Sequence, residues 1–154
     1  AEHDAVIDVK LAALGNPNIP TRVIHRMAAG TGKRVRETIA GNISTPKTIL
    51  MKSARDRDTN VAYNVACNPN VPREALTILA ERRNIGILVA VVRNKNTPEE
   101  ALAKLARNNN RNLRLLIAEH ENTSRETLEF LLLKAVKEAD QKLAETVRLA
   151  LAKQ

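Results

Sequence analysis

A proline returns every 26 residues: Pro20, Pro46, Pro72 and Pro98, with Ser124 in the fifth place. Other columns keep the same register. Four residues upstream stand Asn16, Asn42, Asn68, Asn94 and His120; two upstream stand Asn18, Ser44, Asn70, Asn96 and Asn122. Four residues downstream the side chain is Ile24, Leu50, Leu76, Leu102 or Leu128, and nineteen downstream it is Ile39, Val65, Val91, Ile117 or Leu143. The eighth place downstream holds Ala28, Ala54, Ala80, Ala106 and Leu132, and the fifteenth Val35, Val61, Ile87, Leu113 and Ala139. No insertion interrupts the series. A unit this short cannot bury its own apolar face, so like units must stack, each covering the next.

Each unit reads as two short helices. Proline suits the first turn of a helix, where its missing N–H is not needed, so a first helix is predicted to begin at each proline. Apolar residues three, four, seven and eight places on make one buried face. Thr97 with Glu100, and Thr123 with Glu126, have capping-box spacing. Polar links follow at residues 29–32, 55–58, 81–84 and 107–110. A second helix, short α or 3-10, then runs to the asparagine column. Asparagine tolerates the left-handed conformation that closes a helix, and its side chain can satisfy backbone groups in the turn. Val9, Ala13 and Leu14 fall in second-helix columns, so the chain is expected to open on an unpaired second helix. In the last unit Leu131, Leu132 and Leu133 run together and the helical pattern continues from Leu143 to Leu151, which reads as a C-terminal cap. The expected organisation is one all-α repeat domain over 1–154. It comprises a half-repeat at 1–15, repeats at 16–41, 42–67, 68–93 and 94–119, and an atypical repeat with cap at 120–154.

At N-P-N-V-P-R-E-A-L-T-I-L-A (Asn68 to Ala80) and N-K-N-T-P-E-E-A-L-A-K-L-A (Asn94 to Ala106) the chain resembles the leucine-rich repeat variant family, whose phrase is N-P-x-T-P-x-x-x-L-x-x-L-A followed by a V-R-x-x-V-A-type stretch. The second part is matched by Val35-Arg36-Glu37-Thr38-Ile39-Ala40 and Val61-Ala62-Tyr63-Asn64-Val65-Ala66. The resemblance covers about Val9 to Leu132. It implies a right-handed α-solenoid of alternating α and 3-10 or short α helices, without shared catalytic residues. Some members carry an N-terminal cysteine cluster for an iron–sulfur centre. This chain has no cysteine before Cys67, so no cofactor is carried over. HEAT-like repeats are the neighbouring alternative. They include DNA-alkylation glycosylases, which use aromatic and acidic groups in a concave cleft, and this chain has no Trp.

The residues outside the repeat columns carry little chemistry. Cys67 is the one cysteine, so no disulfide framework exists within the chain; this fits a reducing, cytoplasmic setting. The apolar run at residues 87–92 is far shorter than the roughly 18 residues a membrane span needs. The opening A-E-H-D-A is acidic and has no signal-peptide pattern. His3, His25 and His120 lie in different units without metal spacing. Cys67 shares a column with Gly41, Arg93 and Glu119, which predicts partial exposure, and no base is paired with it. Asp56 and Asp58 flank Arg57 in a link and read as turn and cap residues. Gly30-Thr31-Gly32-Lys33 has part of a phosphate-loop spacing, but no strand precedes it. No catalytic residue, metal site, cofactor or small-molecule substrate is expected.

Charge is the feature that suggests a partner. The formal net charge is +8, and it concentrates in residues 20–97. The links carry Lys33 and Arg34, Arg55 and Arg57, Arg82 and Arg83, then Arg107 and Arg111; Arg36 and Arg114 share a second-helix column. Stacking would line these up as a basic ridge. The first expectation is a non-enzymatic scaffold that binds a protein or other macromolecule. The alternative is nucleic-acid binding through phosphate contacts along the ridge. The near absence of aromatics disfavours stacking on single-stranded bases.

Overall fold

The sequence register reappears as helix boundaries in a computed structural model that describes residues 2–28 and 32–154, with side chains for 7–28 and 32–154. The first helices of the units are α2 (Thr21–Ala28), α4 (Lys47–Ser53), α6 (Arg73–Leu79), α8 (Glu99–Leu105) and α10 (Arg125–Lys137). The second helices are α3 (Lys33–Gly41), α5 (Thr59–Cys67), α7 (Ile85–Arg93) and α9 (Arg111–Glu119), with α1 (Glu2–Gly15) before them and α11 (Gln141–Leu151) after. Among the described residues there is no strand, and every one of these elements is α-helical. In the second-helix row, α1 packs on α3, α3 on α5, α5 on α7, α7 on α9, and α9 on α11. The expected link at residues 29–31 lies outside the described residues.

The prolines act one place earlier than predicted. Pro46, Pro72 and Pro98 are N-caps whose carbonyls accept from Leu50, Leu76 and Leu102 N–H at 3.1, 3.3 and 3.2 Å. The capping boxes are not formed. Thr97 and Thr123 turn back instead, and their hydroxyls donate to the carbonyls of Val91 at 2.5 Å and Ile117 at 2.6 Å; Thr45 does the same to Ile39 at 2.5 Å. These threonines are buried in a column that Ile19 and Val71 fill with apolar side chains, so the hydroxyl must bond to the nearest loose carbonyl. Ser124, standing where the proline is missing, caps its own helix through Thr127 N–H at 3.4 Å. Three second helices also have side-chain caps: Asp58 accepts from Asn60 and Val61 N–H, Asn84 from Ile87 and Asn110 from Leu113, whereas Gly32 before α3 offers none.

The asparagine column closes the second helices by its side chains, not by left-handed backbone. Asn42, Asn68 and Asn94 have φ of −74°, −70° and −81°. The Asn68 amide donates to the carbonyls of Ala40 at 2.8 Å and Asn42 at 2.9 Å, and its oxygen accepts from Asn70 N–H at 2.9 Å. Asn94 repeats this on Ala66 and Asn68, and Asn42 repeats it on Leu14 and Asn16. His120 takes the last step with Nε2 against the Asn94 carbonyl at 3.1 Å and Nδ1 receiving Asn122 N–H at 3.0 Å. A second ladder runs beside the first: Ser44 bonds to the Pro17 carbonyl, Asn70 to Ile43, Asn96 to Pro69 and Val71, and Asn122 to Lys95 and Thr97.

The core follows the columns. Ile24, Leu50, Leu76, Leu102 and Leu128 are buried, as are Ile39, Val65, Val91, Ile117 and Leu143. Ala139 departs. Helix α10 extends to 13 residues, so residue 139 falls in the turn before α11 with φ of 54°, not on a helix face. There Asp140 N–H reaches the Ala135 carbonyl at 2.8 Å and Ala139 N–H reaches Val136 at 3.2 Å, which is a Schellman closure. The buried side chains form two clusters. Leu14, Ile19, Ile24 and Ile39 make one, and a continuous set from Ala40 to Val147 makes the other.

Asn68→Ala strands two buried carbonyls and is expected to destabilise the chain by about 1–3 kcal/mol in urea unfolding. A loss under about 0.5 kcal/mol would mean the ladder is not a structural requirement. Ala139→Gly relieves a left-handed alanine and is expected to raise stability by up to about 1 kcal/mol; no gain would locate no strain there.

Candidate functional site

The ten basic residues of the expected ridge fall into two groups. Six are engaged within the protein. Lys33 Nζ lies 3.0 Å from Asp58 and 3.6 Å from Glu37, and Arg34 lies 3.8 Å from Asp8. Arg36 Nε donates to Asp56 at 2.7 Å. Arg82 donates to the carbonyls of Ala54 at 3.0 Å and Asp56 at 2.5 Å, closing the end of the preceding unit's first helix. Arg111 forks onto Asp140 at 2.6 and 2.8 Å. Arg114 is buried and bonds to the Asn108 carbonyl at 3.0 Å and Glu138 at 2.5 Å. Apart from Arg34, whose contact with Asp8 is exposed on both sides, these cations do local structural work, because short helices leave carbonyl ends and link carboxylates that need positive partners.

Arg55, Arg57, Arg83 and Arg107 remain exposed and make no hydrogen bond or ion pair among the described residues. Arg57 and Arg83 occupy the same place in successive links. Arg55 and Arg107 share a column, but Glu81 stands between them and holds Lys104 at 2.9 Å. The ridge is therefore four separated arginines, not ten in file.

Asp56, Asp58 and Asp140 titrate low. The Lys33 ammonium beside Asp58 holds that carboxyl below its ordinary value. Partial burial pushes Asp56 upward, but the Arg36 hydrogen bond and the Asp58 N–H outweigh it and leave Asp56 lowered. Arg111 and the N–H of Leu143 lower Asp140. Asp56 and Asp58 thus serve as ion-pair and cap groups, each with its own cation.

Two of the free arginines border a cleft of about 1130 Å³ that opens among α2, α3, α4 and the link at 55–57. Ala28, Ile39 and Ile49 give it an apolar floor; His25, Lys52, Arg55 and Arg57 stand around it. Its one carboxylate, Asp56, is held by Arg36. The cleft coincides with the boundary between the two core clusters: Ile39 and Ile49 belong to the first, Leu50 and Ala54 to the second. Sequence reasoning did not find it, because residues 16–41 fit the repeat columns and nothing in those columns marks an opening.

A smaller cavity of about 430 Å³ lies between α5 and α7 and is lined by Tyr63, Cys67, Val89 and Arg93. Cys67 is exposed, like Gly41, Arg93 and Glu119 in its column. Cys67, one helical turn from Tyr63, raises the titration of its hydroxyl. His25 belongs to the other cleft. Among the described residues no three His, Cys, Asp or Glu side chains gather in a metal-binding group, and no helix is long and apolar enough to cross a membrane. No family model, curated protein or solved structure matches this chain.

Because Asp56, Asp58 and Asp140 are lowered in the folded chain, their contribution is fully present above the unfolded carboxylate value of about 3.9 and is lost as pH falls through the folded values. Asp140→Asn is expected to be less stable near neutrality and to show a shallower loss between about pH 5 and pH 2 in urea midpoints. Parallel curves for the variant and the parent would remove Asp140 from the acid response.

Proposed function

We propose that this chain is a non-enzymatic helical-repeat scaffold: a right-handed α-solenoid of five 26-residue units, of the leucine-rich repeat variant type, working in the cytoplasm and binding a protein partner. The observation that carries the reading is the fate of the charge. Six of the ten ridge cations are tied to carboxylates or backbone carbonyls, and two of the remaining four stand beside an apolar-floored cleft. Phosphate tracking depends on many unpaired cations in series. An apolar floor with isolated arginines around it has the composition of a protein-binding patch. The side-chain ladders support the scaffold role, since they tie each unit to the one before it.

Nucleic-acid binding is the second reading, and the four free arginines favour it. Fluorescence anisotropy with short duplex and single-stranded DNA and RNA separates the two. With the four free ridge arginines as the phosphate contacts, the expected result is weak binding, with a slope of log K against log salt of about −3.6 on duplex DNA, lost near physiological salt. Tight binding that survives physiological salt and disappears in Arg83→Glu/Arg107→Glu would overturn the protein reading in favour of the nucleic-acid one.

A further inference from the structure

We propose that the cleft among α2, α3 and α4 anchors an acidic peptide segment of the partner by one aliphatic side chain, with carboxylates on either side of that side chain pairing with Lys52, Arg55 and Arg57. The proposal rests on the protein-binding reading and names the chemistry of the partner. Three observations lead to it.

The first is shape. A volume of about 1130 Å³ exceeds what one side chain fills and suits a short turn of peptide. The second is the pairing of an apolar floor with cations that lack partners. The floor of Ala28, Ile39 and Ile49 is aliphatic, so it offers no ring for a base to stack on and fits a branched side chain instead. Among the described residues the Arg55 and Arg57 side chains make no hydrogen bond or ion pair, whereas the one carboxylate in the cleft is already held by Arg36. An incoming carboxylate meets two unoccupied guanidinium groups, each able to take it by a two-point contact.

The third observation is position. At the next joint Arg82 reaches back to the carbonyls of Ala54 and Asp56, and Ala54, Ala80 and Ala106 are buried. Ala28, in the same column, is only half-buried, and Asp56 stands where Arg82 would be. The core divides at this place and is continuous from there onward. The opening thus coincides with the place where the core divides.

The test uses the full chain and two fluorescein-labelled peptides, D-E-D-L-D-E-D and D-E-D-G-D-E-D, titrated by anisotropy at low and near-physiological salt. The leucine peptide is expected to bind about tenfold more tightly than the glycine peptide, the effect of burying one aliphatic side chain. Arg55→Glu/Arg57→Glu, and separately Thr48→Trp, which fills the cleft from an exposed position, are each expected to weaken the leucine peptide by about tenfold or more. Arg83→Glu/Arg107→Glu is expected to stay within about twofold. Far-UV circular dichroism checks that each variant is folded. Equal affinity for the two peptides, or indifference to Thr48→Trp, overturns the cleft proposal. If acidic peptides then bind through Arg83 and Arg107, the scaffold reading stands without it. Failure of both peptides to bind the folded parent chain also overturns the cleft proposal, and salt-resistant nucleic-acid binding by that chain would take the scaffold reading with it.

Discussion

The bond from an asparagine amide to the carbonyls of the preceding unit is what the rest of the structure depends on. Helices of seven to nine residues are mostly ends, and each end leaves backbone groups without a partner inside the helix. Asn68 answers this for two carbonyls of one unit while its oxygen holds an N–H of its own turn. Three of its bonding groups are thereby fixed in geometry, so the step between units is fixed too. One inserted residue would carry the amide off its carbonyls. That is a physical reason for a spacing that never varies. Histidine at the last step keeps one donor and one acceptor, so His120 preserves the turn and gives up one of the two backward bonds.

Closing helix ends also decides what the charge does. Arg82 stands in a column where the neighbouring units have Asp56 and Asn108, and it uses its guanidinium on two carbonyls. Arg114 is buried against Glu138 at the junction with the last two helices. A cation buried in this way is costly to unpair, because its own charge would be left dry and without a partner. The net charge of +8 is unchanged by this pairing, but fewer of the ridge cations are open to a ligand. The neighbours of each exposed arginine decide what it can hold.

The columns made much of the fold legible. Helix order, the buried positions of both helix rows and the exposure of the Cys67 column all followed from spacing. Several of the errors share one origin: side chains that reach beyond their own helix. Thr97 has the spacing of a capping box, but it sits in a buried column and turns toward Val91, a choice that depends on what surrounds it. The asparagine column was tied to left-handed backbone, yet its backbone is extended and its amide does the closing. The ridge looked like ten equivalent cations because the partners of Arg36, Arg82 and Arg111 lie 20 to 29 residues away in sequence. The cleft left no sequence mark, since it arises where two sets of core side chains fail to join.

The two ladders are not equally strong along the stack. The first runs unbroken, but in the second Ser44 and Asn70 each make one backward bond, whereas Asn96 and Asn122 each make two. The joint between the first and second units has one bond in this ladder and is where the core clusters part, while Arg36 on Asp56, Lys33 on Asp58 and Asn64 on the Glu37 carbonyl cross it. A partner that seats an aliphatic side chain there adds apolar contact between α2 and α4 beside the boundary of the two core clusters. Binding at that joint would tighten the first unit against the rest, so the gap in the core and the affinity for a partner have the same physical source.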